Sequence, residues 1–225
     1  MNSLLRLMAW LSPAFPVGGF SYSHGLEWAV EQRLVTDLAS LTTWVITVLA
    51  DGAGRSDAAL LLEAHRAVDD SQRLDGVVEW ADAMRGSREL ALEASAQGTA
   101  FLSTVAAVWP DPWLDEWKAR LRALGRAPAY PVAVAVAAAR VGIKEDETLA
   151  AYLQAFAAAL VSAAVRLVPL GQTDGQRAMA ALEPVVLAAV QVALVRPFAD
   201  LGGAAPMVDL CSMKHETQYT RLFRS

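Results

Sequence analysis

Apolar residues recur every three or four positions along most of the chain, a spacing that places them on one face of an α-helix. Short polar or proline-containing segments interrupt this pattern. Ser87 has the position of an N-cap residue, Pro110 and Pro112 end one helix, and Gly125 closes another. We therefore expect helices over residues 57–68, 73–84, 87–108 and 113–124, with a break at 52–56 before the first of them.

The second half of the chain is richer in alanine, and its pattern is less specific. Residues 131–140 alternate valine with alanine as a strand does, but we expect a helix, because alanine favours helix and a single strand would have no partner. Asp146 is predicted to cap a long helix that begins near residue 147 and ends before Pro169. A further helix is expected from about residue 176 or 184 to residue 195. With no hairpin or repeat, residues 1–225 predict one compact all-α domain of eight or more helices.

The composition excludes some classes of protein. Of its 225 residues 55% are apolar and 19% are charged, and the mean hydropathy is +0.31, which excludes a disordered chain. We expect no membrane-spanning helix, because residues 148–165 are mostly alanine with polar interruptions and residues 184–195 are too few. The first residues do not resemble a signal peptide. The large apolar share predicts that a second subunit covers part of the surface.

Charge and cysteine content exclude further classes. The net charge of −5 and the pI near 5.2 argue against a nucleic-acid-binding protein. The single cysteine, Cys211, cannot form an internal disulfide and fits a reducing cytoplasm.

Candidate chemistry begins in the segment 11–27. Gly18 and Gly19 permit a tight turn or a close backbone approach, and Phe20 and Tyr22 follow them. A phosphate-binding loop would need a different glycine spacing and a preceding strand, and neither is present. A turn that packs its aromatic side chains into the domain is the favoured interpretation.

Two further segments combine charge with an apolar setting. In residues 85–98, Arg88 precedes Glu89 and Glu93, two carboxylates four residues apart that share a helix face and repel each other unless a cation lies between them. A solvated or interface face is favoured there over a metal site. In residues 164–177, Arg166 lies near the end of a strongly apolar helix, and a simple helix–turn–helix joint does not explain it.

The last segment, residues 212–225, is dense in cations and aromatic side chains. His215 and Glu216 would begin a zinc-protease motif, but Tyr219 occupies the position of the second histidine. The chain has three histidines in all, too few for a convincing closed metal site. If the helix continues from Met213, the tail leaves its cations available for the carboxylates or phosphates of a partner. A merely soluble, charged chain end is the alternative.

Together these four segments resemble the UreF family of urease accessory proteins. The residues that carry the resemblance are PVGGFSYS at 16–23 with GLE at 25–27, SRE at 87–89, RLVPLGQ at 166–172, HETQY at 215–219 and RLFRS at 221–225. Residues 106–144 contribute no signature.

The resemblance implies an all-α, dimeric, cytoplasmic protein that is not itself an enzyme and works in nickel insertion into urease. Members of the family bind the accessory protein UreD, also called UreH, and recruit the GTPase UreG. The assembly delivers Ni²⁺ to apo-urease, with GTP bound to UreG. The nickel is handled in transit, so the resemblance implies no stably bound cofactor, and no nucleic acid or membrane partner.

The resemblance also suggests which residues carry this role. It implies that residues 212–225 form a partner-docking tail. We expect deletion of residues 214–225 to spare the helical fold and to abolish complex formation. The candidate partner-binding residues are Lys214, His215, Glu216, Tyr219, Arg221, Leu222, Phe223 and Arg224. The candidates for a surface facing the GTPase or for the nickel passage are Gly18, Gly19, Phe20, Tyr22, Glu27, Arg88, Arg166 and Gln172.

Alternatives remain open at this point. The protein could activate UreG by placing Arg88, Arg166 or Arg224 in the nucleotide site, or it could restrain hydrolysis until apo-urease is present. A stand-alone acid–base enzyme would use Glu89, Glu93 and His215 in one pocket. A purely structural helical dimer would contact neither UreG nor UreD.

Overall fold

Helices account for the regular structure of the part of the chain that the computed structural model describes, residues 3–225, and no strand occurs in that range. Short 3₁₀ turns lie at Gly19–Ser21 and Phe198–Asp200. The α-helices are α1 (Ser3–Trp10), α2 (Leu26–Glu31), α3 (Leu38–Ala50), α4 (Ala53–Arg66), α5 (Ser71–Ala83), α6 (Arg88–Val108), α7 (Pro112–Ala123), α8 (Tyr130–Arg140), α9 (Glu145–Leu167), α10 (Gln172–Val195) and α11 (Pro206–His215). The prediction of an all-α protein is confirmed.

Helix α8 lies at the centre of the fold, where α4, α6 and α9 pack around it. Every residue from Val132 to Ala138 is completely buried. A helix that is apolar all round is buried on every side, so its sequence shows no amphipathic stripe. The valine–alanine alternation therefore comes from a central helix, as expected, and not from a strand.

Several predicted helix ends are confirmed. The Ser87 Oγ atom accepts a hydrogen bond of 3.1 Å from the Leu90 N–H and caps α6. Gly125 follows α7 with a φ of +65°, in the left-handed region that favours glycine. The sequence pattern predicts none of α1, α3 and the first seven residues of α11.

Other boundaries differ from the prediction. Helix α4 begins at Ala53, so the expected break over residues 52–56 is wrong. Asp146 is not a cap: α9 begins one residue earlier, and Asp146 lies in its acidic first turn, where negative charge offsets the helix dipole. Helix α10 begins at Gln172 and continues through Pro184, so both predicted starts are too late.

Two helices are long and apolar enough to cross a membrane by length and composition alone, with mean hydropathies of 1.7 for α9 and 2.0 for α10. Length and composition alone do not overturn the expectation of no membrane-spanning helix, because core helices of folded domains pass the same test. The two helices pack against each other, and α10 also packs against α3, as core helices do. Only 22% of the apolar window of α10 is buried, and Leu187, Val192 and Val195 on this helix are exposed.

Helix α11 packs against α2 and α6 and brings the last residues of the chain next to the segment before α2. Gly25 makes this contact possible. Its φ is +77°, and a Cβ atom there would lie 2.7 Å from the Ser212 backbone nitrogen. The GLE motif thus contains a glycine that both the backbone conformation and the helix packing require.

We expect Gly25→Ala to lower the free energy of unfolding by about 2–4 kcal/mol. The added Cβ atom would clash with the Ser212 backbone, and alanine is strained at a positive φ. Burial raises the pKa of the Cys211 thiol to about 11, so its alkylation rate reports displacement of α11. This rate should rise in the variant.

Gly76→Ala is the matched control. A Cβ atom at Gly76, inside α5, would meet no atom within 4 Å. This substitution should raise the free energy of unfolding by about 0.5–1 kcal/mol and leave the alkylation rate unchanged. Equal urea midpoints for the two variants would contradict the packing described for Gly25.

Candidate partner-binding surface

His215, the last residue of α11, lies between two carboxylates from different helices. Its Nδ1 atom is 2.7 Å from Glu89 Oε2 on α6, and its Nε2 atom is 3.0 Å from Glu27 Oε2 on α2. The imidazole is completely buried, and both glutamates are nearly so. This contact fixes the end of α11 against two helices that are distant in sequence.

The residues after His215 turn back over the same carboxylates. The backbone N–H groups of Leu222 and Phe223 donate to the two oxygens of Glu27, at 2.6 and 2.9 Å. Arg221 Nη1 donates to Glu89 Oε1 at 2.9 Å. Helix α11 ends at His215, two residues beyond Met213, so the helical tail considered as one possibility is not formed: residues 216–225 are non-helical, with turns and bends.

The final residues also bind the segment before α2. The Ser23 N–H donates to the carbonyl oxygen of Ser225 at 2.7 Å, the Ser23 hydroxyl contacts the same oxygen, and the Arg224 N–H donates to the Ser21 carbonyl at 2.8 Å. The Ser225 hydroxyl donates to Glu93 Oε2 at 2.7 Å. The glutamates at 27, 89 and 93 thus share one role, which is to hold residues 215–225.

Arg166 connects this tail to the turn at residues 18–25, which contains Phe20 and Tyr22 and which we call the aromatic turn. Its guanidinium lies 3.7 Å from the centre of the Phe20 ring and 4.3 Å from that of Phe223, and its Nη1 atom donates to the Phe20 carbonyl at 3.0 Å. Burial lowers the pKa of Arg166 below its usual range. A cation stacked between two rings explains why an arginine ends so apolar a helix.

A cavity of about 210 Å³ lies beneath the aromatic turn. Gly19, Phe20, Tyr22 and Arg166, four of the predicted GTPase-facing or nickel-passage residues, contribute to its wall. Gly18 starts the turn with a φ of +75°, and Gln172 is exposed at the first position of α10.

The cavity also involves residues that the sequence analysis did not single out. Arg85 Nη1 donates to Asp57 Oδ1 at 2.9 Å, and the Tyr152 hydroxyl donates to Asp57 Oδ2 at 2.6 Å. Burial, with a smaller contribution from the Asp57 carboxylate, holds the pKa of Tyr152 well above its ordinary value. His24 lines the same cavity with a φ of +57°, rare for a side chain of its size. The sequence contains one sign of this network: Asp57 is a charged residue among the buried apolar positions of α4, which indicates that it needs a buried partner.

Among residues 3–225, no group of three histidine, cysteine, aspartate or glutamate side chains is arranged to hold a metal ion. The Glu27 and Glu89 oxygens nearest His215 are occupied by the imidazole nitrogens. The cluster is a set of hydrogen bonds and ion pairs.

The structure divides the predicted contact residues into two groups. The exposed residues are Phe20, Arg88, Lys214, Tyr219, Arg221, Leu222 and Arg224; Glu216 is partly exposed, and its Oε1 atom accepts from the Arg88 N–H at 2.8 Å. Buried are Tyr22, Glu27, His215 and Phe223. The assignment of His215 and Phe223 to a surface contact is therefore corrected, because in this fold they hold the surface in place from below. We call the exposed group the tail surface.

The acid–base set is only partly assembled. Glu89 contacts His215, but Glu93 contacts Ser225 and lies 3.6 Å from His24 Nδ1. His215 is inaccessible, and carboxylates occupy both of its nitrogens. A general base must reach the substrate proton directly or through one water, so this arrangement does not favour the enzyme alternative.

Sequence comparisons agree with the four motifs. The sequence model of the UreF family matches residues 35–183. Two relatives named urease accessory protein UreF, from Bradyrhizobium strains BTAi1 and ORS 278, are 51% and 50% identical to the chain, cover 99% and 100% of it, and are themselves covered to 92% and 93%. The protein of the same name from Granulibacter bethesdensis is 51% identical over 99% of the chain and 94% of its own length.

The chain belongs to the UreF family of urease accessory proteins. Membership in the UreF family supports a role in urease maturation. The matches to named relatives extend over the aromatic turn and the tail, which the family model itself does not cover.

We expect deletion of residues 214–225 to lower the free energy of unfolding by at least about 3 kcal/mol, because it removes the buried His215 and Phe223 side chains and the hydrogen bonds that tie Glu27 and Glu89 to α11 and the tail. This reverses the expectation that deletion spares the fold. Urea unfolding followed by circular dichroism measures the change.

Tyr219→Ala is the control within the same segment, since the Tyr219 side chain is fully exposed. It should change the free energy of unfolding by less than about 0.5 kcal/mol. A truncated protein as stable as the full chain would show that the tail contacts contribute nothing to the fold.

Proposed function

We propose that this protein is the adaptor of a cytoplasmic urease-maturation assembly. It binds UreD, also called UreH, recruits the GTPase UreG, and couples the GTP cycle of UreG to the release of Ni²⁺ toward apo-urease. The protein acts as a homodimer and catalyses no reaction itself. Nickel passes through the assembly as cargo, GTP stays on UreG, and the chain holds no cofactor of its own.

The tail surface is the observation that carries this proposal. Arg88, Lys214 and Arg224 are exposed cations on a chain whose net charge is −5, and Arg221 is a fourth that is paired with Glu89. Phe20, Tyr219 and Leu222 are the large apolar side chains exposed among them. Cations around exposed aromatic and aliphatic side chains suit an acidic protein partner, because such charges steer association while the apolar residues supply buried area.

The structure also narrows how the protein could act on the GTPase. Arg166 is stacked between Phe20 and Phe223 and cannot extend into a partner without breaking both contacts. Arg221 is paired with Glu89. Arg88 and Arg224 are exposed, so an activator mechanism would draw on these two, whereas a restraining role needs neither.

We expect the double charge reversal Arg88→Glu/Lys214→Glu to weaken binding to the acidic partner by at least about tenfold, because like charges then face each other. Binding to immobilised UreG and to UreD should be measured separately, at two salt concentrations. The wild-type affinity should fall as salt rises.

Arg122→Glu is the matched control, since Arg122 is exposed on α7, away from the residues of the tail surface. It should change binding less than about twofold. If the double variant binds both proteins as the wild type does, the tail surface is not the docking site. If the wild type binds neither, the adaptor proposal fails and a purely structural role is favoured.

The exposed apolar face of α10 is our candidate for the dimer contact. Leu187, Val192 and Val195 project from a helix whose apolar window is mostly unburied. We expect Leu187→Glu to shift the protein from dimer to monomer in size-exclusion chromatography with light scattering, because it places a charge in an apolar contact. Leu124→Glu, at an exposed leucine after α7, is the control. A Leu187→Glu variant that remains dimeric would place the contact elsewhere.

A further inference from the structure

His215 makes one hydrogen bond to Glu27 and one to Glu89, and we call this group the bridge. With neutral histidine and ionised glutamates, the bridge contains too few hydrogens for both bonds. Each of the two nitrogen–oxygen contacts, at 2.7 and 3.0 Å, needs one hydrogen between its atoms. Two ionised carboxylates and a neutral imidazole provide a single hydrogen. The bridge as observed therefore holds two protons, whichever atoms they reside on.

Charge balance leads to the same count. With two protons the bridge has a net charge of −1, and the Arg221 guanidinium on Glu89 Oε1 brings the group to neutrality. With one proton the group would carry an uncompensated negative charge around an imidazole that is completely buried. An unpaired charge in such a place is costly. The other oxygen contacts are backbone N–H donors of Leu222 and Phe223, which do not titrate.

We propose that docking of the tail, residues 215–225, takes up one proton, which completes the bridge at His215. An undocked imidazole in water is half protonated near pH 6.5, by the reference value of roughly 6.5 for histidine. Above that pH the undocked tail lacks the proton that the docked form requires. Docking is therefore strongest between about pH 4.3 and pH 6.5, the reference values for free glutamate and histidine, and weakens progressively as the pH rises above that range.

Other titratable groups border the tail: Tyr22, whose pKa is raised by burial and which lies near Arg224 and Glu93, Glu216, which accepts from the Arg88 N–H, the buried Cys211 thiol, and the pair of Glu93 and His24. Glu93 accepts from the Ser225 hydroxyl, and His24 Nδ1 lies 3.6 Å from Glu93 Oε2. That contact exceeds hydrogen-bond length, so it does not require a second proton by the same count. It can still contribute to a pH dependence, and the experiment has to separate the two histidines.

Proton uptake would make the tail surface depend on pH, because the tail has to be docked for this surface to form. Tyr219, Arg221, Leu222 and Arg224 keep their positions only while the tail is docked. This consequence for partner binding rests on the proposed function. The uptake of a proton is a property of the chain alone and does not depend on it.

Backbone hydrogen exchange at Leu222 and Phe223 tests the proposal on the full chain without any partner. Their N–H groups donate to Glu27 only in the docked state, so their protection factors measure docking. Between pH 6.5 and pH 9 we expect the protection factors to fall by up to about tenfold per pH unit, the limit for one proton. In ¹⁵N spectra of the docked protein, both ring nitrogens of His215 should be bonded to hydrogen or share one with a carboxylate.

Two variants assign the effect. In His215→Gln the amide can donate to one carboxylate, but its oxygen faces the other, which carries no proton between pH 6.5 and pH 9 while the tail is undocked. Protection at Leu222 and Phe223 should therefore be lower than in the wild type throughout this range. His24→Asn keeps a residue that tolerates the left-handed backbone and should retain the wild-type slope.

Three outcomes would overturn the proposal. Protection factors that stay constant from pH 6.5 to pH 9 would show that no proton is taken up. A slope that disappears in His24→Asn would assign the proton to the other pair. A neutral His215 ring in the docked protein, with one nitrogen free of hydrogen and no proton on the facing carboxylate, would contradict the count directly.

Discussion

Two carboxylates, Glu27 on α2 and Glu89 on α6, are buried where the two helices approach α11. Buried charge has to be compensated locally, because the interior offers no solvent to do so. The compensation comes from the last residues of the chain: the His215 imidazole, the Arg221 guanidinium and the amides of Leu222 and Phe223. Each of these groups lies more than a hundred residues from its partner. The tail is therefore a structural element that closes the fold.

This arrangement explains why a short charged tail and a glycine-rich turn occur in the same chain. The turn at residues 18–25 adopts left-handed backbone at Gly18, His24 and Gly25, and it presents the Ser23 amide and the Ser21 carbonyl to the tail. Gly25 in particular lets α2 approach α11 closely enough for Glu27 to reach His215. Loop conformation, helix packing and ion pairing thus depend on one another, and changing any of the three displaces the same surface.

The sequence predicted the class of fold and most of the helices after residue 50, because amphipathic periodicity, N-caps and prolines are local signals. It could not decide whether α10 begins before Pro184 or at it, since packing against α9 and α3, which overrides the local cost of a proline, is not visible in the sequence. It also identified the four segments that form the candidate surface. It could not show that Glu27 and Glu89 face His215, because pairing across the whole chain leaves no spacing pattern. Glu27 and Glu89 each lie in the first turn of a helix, where a negative charge is already favoured by the helix dipole. Nothing in the sequence therefore indicated that they also bind His215.

The tail contains both buried and exposed side chains. His215 and Phe223 are buried and anchor it, whereas Tyr219, Leu222 and Arg224 are exposed. The same segment therefore contributes to folding and to the proposed partner contact. A substitution at a buried tail residue would then abolish partner binding without having touched the partner, since it removes the scaffold of the contact. A substitution of the exposed Tyr219 or Leu222 side chain would alter binding alone, whereas Arg221 is exposed but also compensates the buried Glu89. Loss of binding on its own therefore cannot identify a contact residue in this tail. Only its comparison with the protection of the Leu222 and Phe223 amides, which report whether the tail is in place, separates a lost contact from a lost scaffold.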